Sequence, residues 1–531
     1  MESSMKEFNT TAVCIPEKHY MVDISETVGK IKLMVDAGKY FTINRARQYG
    51  KTTTLYALGK RLENEYLVLS LDFQGISHEG FSTESNFVRS FSRLIKRKKK
   101  TIKDIPEVID KKLEKFLAQE VKADLGDLFD LLNTWCEISP KPIVLIIDEV
   151  DSASNNQVFL DFLAMLREGY ISREADDIAM FQSVILAGVT DIKNLKAKIR
   201  DDENAKKNSP WNIAVDFTID MSLSEAGIRG MLDEYEADHR TGIDSALIAR
   251  LLREYTNGYP FLVSRLCQLI DTEVAEKTGI KEAWTRQGFE EAVKLILAED
   301  NTLFQSLSTK LGNYPKLKQS LRGILMEGAK LVYSPDQQDI AQMLMYGFIR
   351  REDNTVKIDN RIFETRLYNL FISDEEMNNN IFSREGSLAR NRFVEDNRLN
   401  MREILKGFIT TYTQVFGPLE DRFKEKDGRE LFLLYLKPII NGTGNYYIEA
   451  QTRDQTRTDV IVDYHGQQYI IELKIWRGER YNAEGEKQIS DYLDYFGLST
   501  GYMLSFNFNK KKESGVRVVH IGEKTLYEGT L

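Results

Sequence analysis

The chain is 531 residues long, 42% hydrophobic and 29% charged, with a formal net charge of −9. At ~100–200 residues per domain this length suggests roughly three or four domains with sizeable cores. The acidic balance excludes a protein coated in nucleic acid by bulk charge, and no apolar run reaches the ~20 residues of a membrane-spanning helix. The cysteines Cys14, Cys136 and Cys267 lie too far apart for a disulfide framework or a zinc motif. MESSMKEFNTTAVC has no apolar leader segment, so a reducing cytoplasm is the expected location.

In chain order, Tyr40–Asn44 reads as a short strand running into Arg45–Thr52, with a helix from about Thr53 to Glu63. Three apolar runs have the length of buried strands: Tyr66–Phe73, Pro142–Asp148 and Gln182–Val189. Helical stretches separate them, which predicts an α/β fold with a parallel sheet covered on both faces. A further strand is expected at Asn212–Phe217. The basic run Arg93–Lys103 reads as a solvated helix end in preference to a DNA contact. Residues 224–300 are helical, punctuated by Gly258 and Pro260. From Leu311 to Ile372, helices lead into two strands turning at Glu352–Asn354, the pattern of a winged helix. The polar, Asn-rich run Ser373–Asn400 reads as a partly helical linker. Helices resume to about Pro438, followed by the strand-like YYIEAQ, TDVIVDY, QYIIELKIW and GYMLSF. The expected division is a core over 1–223, a helical lid over 224–300, a winged-helix-like domain over 301–372, a linker over 373–400 and an α/β domain over 401–531.

The tripeptide Gly50-Lys51-Thr52 lies between a strand and a helix. There, successive backbone N–H groups around Arg47, Gln48 and Gly50, with the helix start at Thr53, can cradle phosphates. Lys51 would reach the β- and γ-phosphates of ATP, and the Thr52 hydroxyl would ligate Mg²⁺. Arg45 stands where the full P-loop pattern has glycine. Downstream, the apolar strand ends in Asp148-Glu149. Asp148 would hold the same Mg²⁺, and Glu149 would orient and deprotonate the attacking water. The bland alternative is a pair of acids capping the helix near Ser152, and the order of the two motifs argues against it.

One strand between the motifs resembles the additional-strand branch of P-loop ATPases, which includes AAA+ and STAND-type proteins. That resemblance implies that Thr190 contacts the γ-phosphate and that Gly258-Tyr259-Pro260 opens a lid in which Arg265 is a sensor candidate. Arg45, Arg47 and Arg200 are candidate arginine fingers, so a homo-oligomer is an open expectation. NRARQYGKTTTL resembles the degenerate P-loop of the bacterial AAA-ATPase-like family, and YMVDIS and SPWNIAVDFTI resemble its flanks. This resemblance covers residues 15–370 and implies a nuclease-like domain after it.

In the C-terminal part, Asp459 lies near the start of TDVIVDY. A turn at His465–Gly466 brings the partner strand, with Glu472-Leu473-Lys474, back beside it. Glu472 and Lys474 share a strand face. Two carboxylates make a hard oxygen site for Mg²⁺ or Mn²⁺, with Lys474 placed to position water or steady the transition state. The alternative is a solvent-facing cross-strand ion pair. Gln488 and Tyr492, four apart on an expected helix 484–496, share a helix face. D…ExK followed by QxxxY resembles the PD-(D/E)XK nuclease superfamily, in particular its RecB-like and lambda-exonuclease-like branch. The resemblance covers residues 400–531 and implies Glu449 as a further metal-shell residue; Thr458 stands where proline or glycine is common.

The expected function is an ATPase coupled to a metal-dependent nuclease acting on DNA in preference to RNA. A role in defence or mobile-element control follows by analogy alone. The alternative is a nucleotide-dependent switch whose C-terminal domain binds nucleic acid without cutting. No helicase motif supports a motor.

Overall fold

The computed structural model describes residues 5–99, 102, 105–118, 122–154, 156–189, 211–327, 331–334, 337–376, 381–416, 425–440, 444–449, 458–475, 486–487, 489–491, 493–494, 496–507 and 514–531. They form two compact units. The first is Met1–Met231 with Tyr259–Phe261 and Leu344–Gly347; the second is Leu232–Gly258, Leu262–Met343 and Phe348–Leu531.

The first unit is built on a parallel sheet. Its strands lie in the order Tyr40–Asn44, Ser183–Gly188, Ile143–Asp148, Leu67–Asp72. Ile143–Asp148 is buried along its whole length, because alternate side chains enter two different cores. Ile143, Leu145 and Ile147 pack with the aromatic cluster Phe73, Phe87, Phe91, Phe159 and Phe162. Val144 and Ile146 pack on the other side with Leu55, Leu58 and Leu62, which recur at helical spacing along Lys51–Leu62. Burial of each such side chain is worth ~1.5–3 kcal/mol, so the central strand is firmly placed.

The strand expected at Asn212–Phe217 is reduced to one parallel bridge, Phe41 to Val215, with the Val215 N–H donating to the Tyr40 carbonyl at 2.9 Å. Side chains hold this segment instead of a ladder. Trp211 is buried, stacks on Tyr40 and donates to Thr42 Oγ1 at 2.9 Å. In the basic run, Lys96 and Lys99 are taken up by Asp110, and Lys96 also by Glu114, as a structural helix end would be.

The second unit carries helices Ser245–Thr256 and Arg286–Ala298, then Thr302–Asn313, Pro315–Glu327 and Gln338–Met345. The hairpin Ile349–Glu352 and Thr355–Ile358 follows, turning at Asp353 with φ 53°. Within 373–400, read as a partly helical linker, lies the helix Ile381–Phe393. Its buried anchors Phe382 and Phe393 are eleven residues apart, about three helical turns, so they share a face. Between them Gly386 crosses the helix Glu425–Ile440 so closely that a Cβ would lie 2.1 Å from the Tyr435 carbonyl oxygen. Gly386→Ala is therefore expected to destabilise this unit by ~1–3 kcal/mol through overpacking. A denaturant titration that leaves its midpoint unchanged would contradict this close crossing.

A six-stranded sheet ends the chain, in the order Gly444–Glu449, Thr458–Tyr464, Gln467–Ile475, Thr500–Phe506, Lys524–Thr530, Gly515–Ile521. The first three strands are an antiparallel meander. The next two neighbours pair in parallel, and the final pair is an antiparallel hairpin. That last hairpin, Gly515–Ile521 with Lys524–Thr530, lies beyond the strands read from the sequence. No helix among the described residues is long and apolar enough to cross a membrane.

Candidate functional site

The segment after Tyr40–Asn44 turns back on itself through two left-handed residues, Gln48 at φ 58° and Gly50 at φ 78°. Gly50 then starts the helix Lys51–Leu62. The Lys51 ammonium is buried and donates to the carbonyls of Arg45 and Ala46, both at 3.0 Å. Burial pulls the pKa of Lys51 down, against the attraction of Glu149 and Asp148. The Thr52 hydroxyl donates to Asp148 Oδ2 at 2.8 Å. Two motifs 96 residues apart in sequence thus meet as a pair of hard oxygen donors. That pair fits Mg²⁺, which takes a few protein oxygens and completes its shell with phosphate and water.

Glu149 is held at φ 55°, and its N–H donates to Asp148 Oδ1 at 2.9 Å. Burial raises the carboxyl pKa of Glu149, with Asp148 adding to the effect, and burial raises that of Asp148 as well. Asp151, which sequence reading passed over, accepts from the Val189 N–H at 2.7 Å. It packs against Gly188, where a Cβ would lie 3.0 Å from its Oδ2. Asp151 therefore ties the end of the next strand to the acidic turn.

Arg45 explains how the loop tolerates a departure from glycine. Its guanidinium leaves the cradle, donating to the Asn44 carbonyl at 2.9 Å and the Ile219 carbonyl at 2.7 Å, and lies 5.2 Å from the Phe217 ring centre. Those partners commit Arg45 to structure within this chain. Arg47 is exposed, and its carbonyl accepts from the Tyr259 hydroxyl. Tyr49 meets the Tyr259 ring edge-on at 4.8 Å, and the open side of Gly50 faces Pro260. Tyr259 and Pro260 thus pack directly on the phosphate loop. Thr53 Oγ1 accepts from the Cys14 N–H at 3.1 Å, so this hydroxyl holds the N-terminal segment. Arg265 pairs with Glu299 at 2.6 Å, as a structural arginine does. Thr190 and Arg200 lie outside the described residues.

In the C-terminal sheet, Glu472 is 4% exposed and Lys474 6%, on one face of Gln467–Ile475. Such burial is at odds with a solvent-facing ion pair. The antiparallel ladder reaches Val460 opposite Ile471, the chain neighbours of Asp459 and Glu472. An irregularity between Tyr447 and Glu449 sets Glu449 opposite Thr458, one position from Asp459. Gln488 and Tyr492 lie outside the described residues.

The parallel register continues the row from Glu472 through Met503 to Glu528, and the last hairpin adds Arg517. Glu528 is buried, bonded by Arg517 and within 3.5 Å of Ser505 Oγ. Ile470, Met503 and Leu526 pack with Ile489 and Leu493 on this same sheet face. Charged groups at its far end are therefore placed against a desolvation cost that ordinary packing would avoid.

A parallel sheet whose Lys51 loop and Asp148 strand converge on one pair of oxygens defines an α/β protein of the P-loop ATPase class. The chain belongs to the AAA-like domain family, whose profile matches residues 20–372. Among solved structures it is similar to the Walker-type ATPase paby2304 of Pyrococcus abyssi, at 16% identity over 68% of this chain and 99% of that one, with a TM-score of 0.47. It is also similar to the Aeropyrum pernix ORC2 protein in its ADPNP-ADP complexes, at 12% identity over 70% and 98% of the two chains, TM-score 0.34. A Thermotoga maritima RuvB mutant matches at 12% identity over 64% and 92%, TM-score 0.31. No curated protein sequence matches.

Proposed function

We propose that the first unit binds and hydrolyses ATP, and that the C-terminal sheet is a metal-dependent nuclease acting on DNA in preference to RNA. The hydrogen bond from Thr52 to Asp148 carries the first part, because it joins the two oxygen donors that a nucleotide-bound Mg²⁺ requires. In this reading Lys51 leaves the carbonyls of Arg45 and Ala46 for the β- and γ-phosphates. The N–H groups of the 47–50 loop and the start of the helix at Lys51 hold the remaining phosphate oxygens. Thr190 contacts the γ-phosphate, and Glu149 accepts the proton of the attacking water.

The acid limb of ATP hydrolysis follows from the environment of Glu149. Its raised pKa keeps it protonated, and so inactive as a base, over a pH range in which a free carboxyl is already ionised. Turnover is expected to fall, as pH is lowered, at a pH above the ordinary carboxylate range. A kcat profile that stays flat down to that range would remove Glu149 from the role of base.

Burial of Glu472 and Lys474 on one strand face carries the second part. Asp459 and Glu472 would hold Mg²⁺ or Mn²⁺, with Glu449 as an outer contributor. The ion would supply charge neutralisation at the scissile phosphate and a water of lowered pKa. Lys474 would hold the nucleophilic water in line by its charge, and Gln488 and Tyr492 would steady the substrate strand. The mixed sheet supports this reading: its meander pairs the strand Thr458–Tyr464 with the strand Gln467–Ile475. Incubating the full chain with linear and circular DNA and with RNA, in each metal and with and without ATP, tests it. Binding of nucleic acid without cleavage in any condition would favour the non-cleaving switch instead.

A further inference from the structure

Two buried carboxyls of the second unit belong to neither site. Glu290, on the helix Arg286–Ala298, is 5% exposed; Asp463, on the strand that carries Asp459, is 2% exposed. Asp463 Oδ2 accepts from the Tyr255 hydroxyl on the helix Ser245–Thr256, and its Oδ1 accepts from Gln468 Nε2 at 2.8 Å. Glu290 Oε2 accepts at 2.9 Å from the N–H of Gly466, in the turn of the same hairpin. The other oxygen, Oε1, is buried with no hydrogen-bond partner among the described residues.

The charged groups around the pair are few. Arg286 acts on both acids, and Lys294 on Glu290, although Lys294 is also paired with Glu291. Arg361, on the helix Arg361–Glu376, acts on Asp463. It lies over the Tyr255 ring at 5.5 Å and 3.5 Å from Glu254. Burial outweighs these cations. It pushes the pKa of Glu290 up to about 8, with Asp463 adding to the effect, and raises that of Asp463 too. Two dry carboxyls in mutual repulsion do not both ionise readily.

We propose that Glu290 and Asp463 are positioning residues that clasp the helices Ser245–Thr256 and Arg286–Ala298 onto the 458–475 hairpin, thereby setting the pose of Glu472. Gln468, which bonds Asp463, and Glu472 are four residues apart on one strand face, so tilting the strand at one moves the other. The clasp itself stands on the contacts above. Its effect on cleavage rests on the nuclease reading.

The direction with pH follows from linkage. A carboxyl raised in the folded state is most favourable to the closed form below its unfolded value of 4.5, and that contribution is lost as pH rises towards about 8. Hydrogen exchange on the full chain, from about pH 6 to about pH 9 and corrected for intrinsic rates, reads this directly. Exchange at Gly466 is expected to quicken across that range. In Glu290→Gln it should stay flat, because the amide accepts from Gly466 and cannot ionise. Tyr255→Phe should quicken exchange at every pH. Wild-type cleavage should show a falling alkaline limb in kcat that Glu290→Gln lacks.

An equal pH response of exchange in wild type and Glu290→Gln would overturn the clasp, as would an unchanged rate in Tyr255→Phe. If exchange behaves as expected and cleavage occurs but keeps the same pH limb in Glu290→Gln, the link to Glu472 is overturned. Complete absence of cleavage in wild type would overturn the nuclease reading and, with it, the proposed effect on cleavage, while exchange still decides the clasp.

Discussion

Lys51→Ala is expected to abolish ATP binding, while Glu149→Gln should bind ATP as the wild type does and hydrolyse it ~10²–10⁴-fold more slowly. The two effects separate because the residues act at different moments. Lys51 is the only cation that the phosphate loop buries among the described residues of its 45–52 segment, and its Nζ is already held at the loop's centre by two carbonyls. Alanine leaves those carbonyls facing an anionic ligand with nothing to offset them. The Glu149 N–H is anchored to Asp148, and glutamine preserves that backbone bond while removing the base. Calorimetric titration with ATP, paired with phosphate release on the same preparations, checks both. Unchanged affinity in Lys51→Ala would place the nucleotide elsewhere.

The nucleotide site was legible because its signals are local. A loop residue pattern, a buried strand and two terminal acids each fit within eight residues, and the sheet then has to bring them together. What sequence left open is where side chains turn. Arg45 reads as a defect in the phosphate loop until its guanidinium is seen bonded to Ile219, 174 residues away. Thr53 reads as the helix start of the cradle, yet its hydroxyl serves Cys14. The run holding the helix Ile381–Phe393 was legible only as a partly helical linker, since the helix's apolar face is little more than Phe382 and Phe393 around a glycine contact. In the C-terminal sheet the Glu472-Leu473-Lys474 alternation was readable. Glu528 was not, because its meaning depends on a parallel register that sets it two strands from Glu472. The Tyr255–Asp463 contact spans 208 residues and has no local signature at all.

The second large effect concerns the C-terminal sheet. Glu472→Ala should lower metal affinity and abolish cleavage, because a hard oxygen ligand is lost from a buried position. Lys474→Ala should leave metal affinity intact and slow cleavage by ~10²–10³-fold, since it removes charge stabilisation and no ligand. Asp459→Ala is expected to follow Glu472→Ala. Both Glu472 and Lys474 are almost fully enclosed, so thermal melting of each variant is needed to show that a folded protein is being compared.

The most direct test of an ATPase joined to a nuclease is one DNA-cleavage time course in Mg²⁺, run on wild type and Glu472→Ala alongside Mn²⁺ titration of the same preparations. The proposal predicts cleavage by wild type alone and weakened metal binding in the variant. Equal cleavage by the two proteins, or unaltered metal binding in Glu472→Ala, would contradict it.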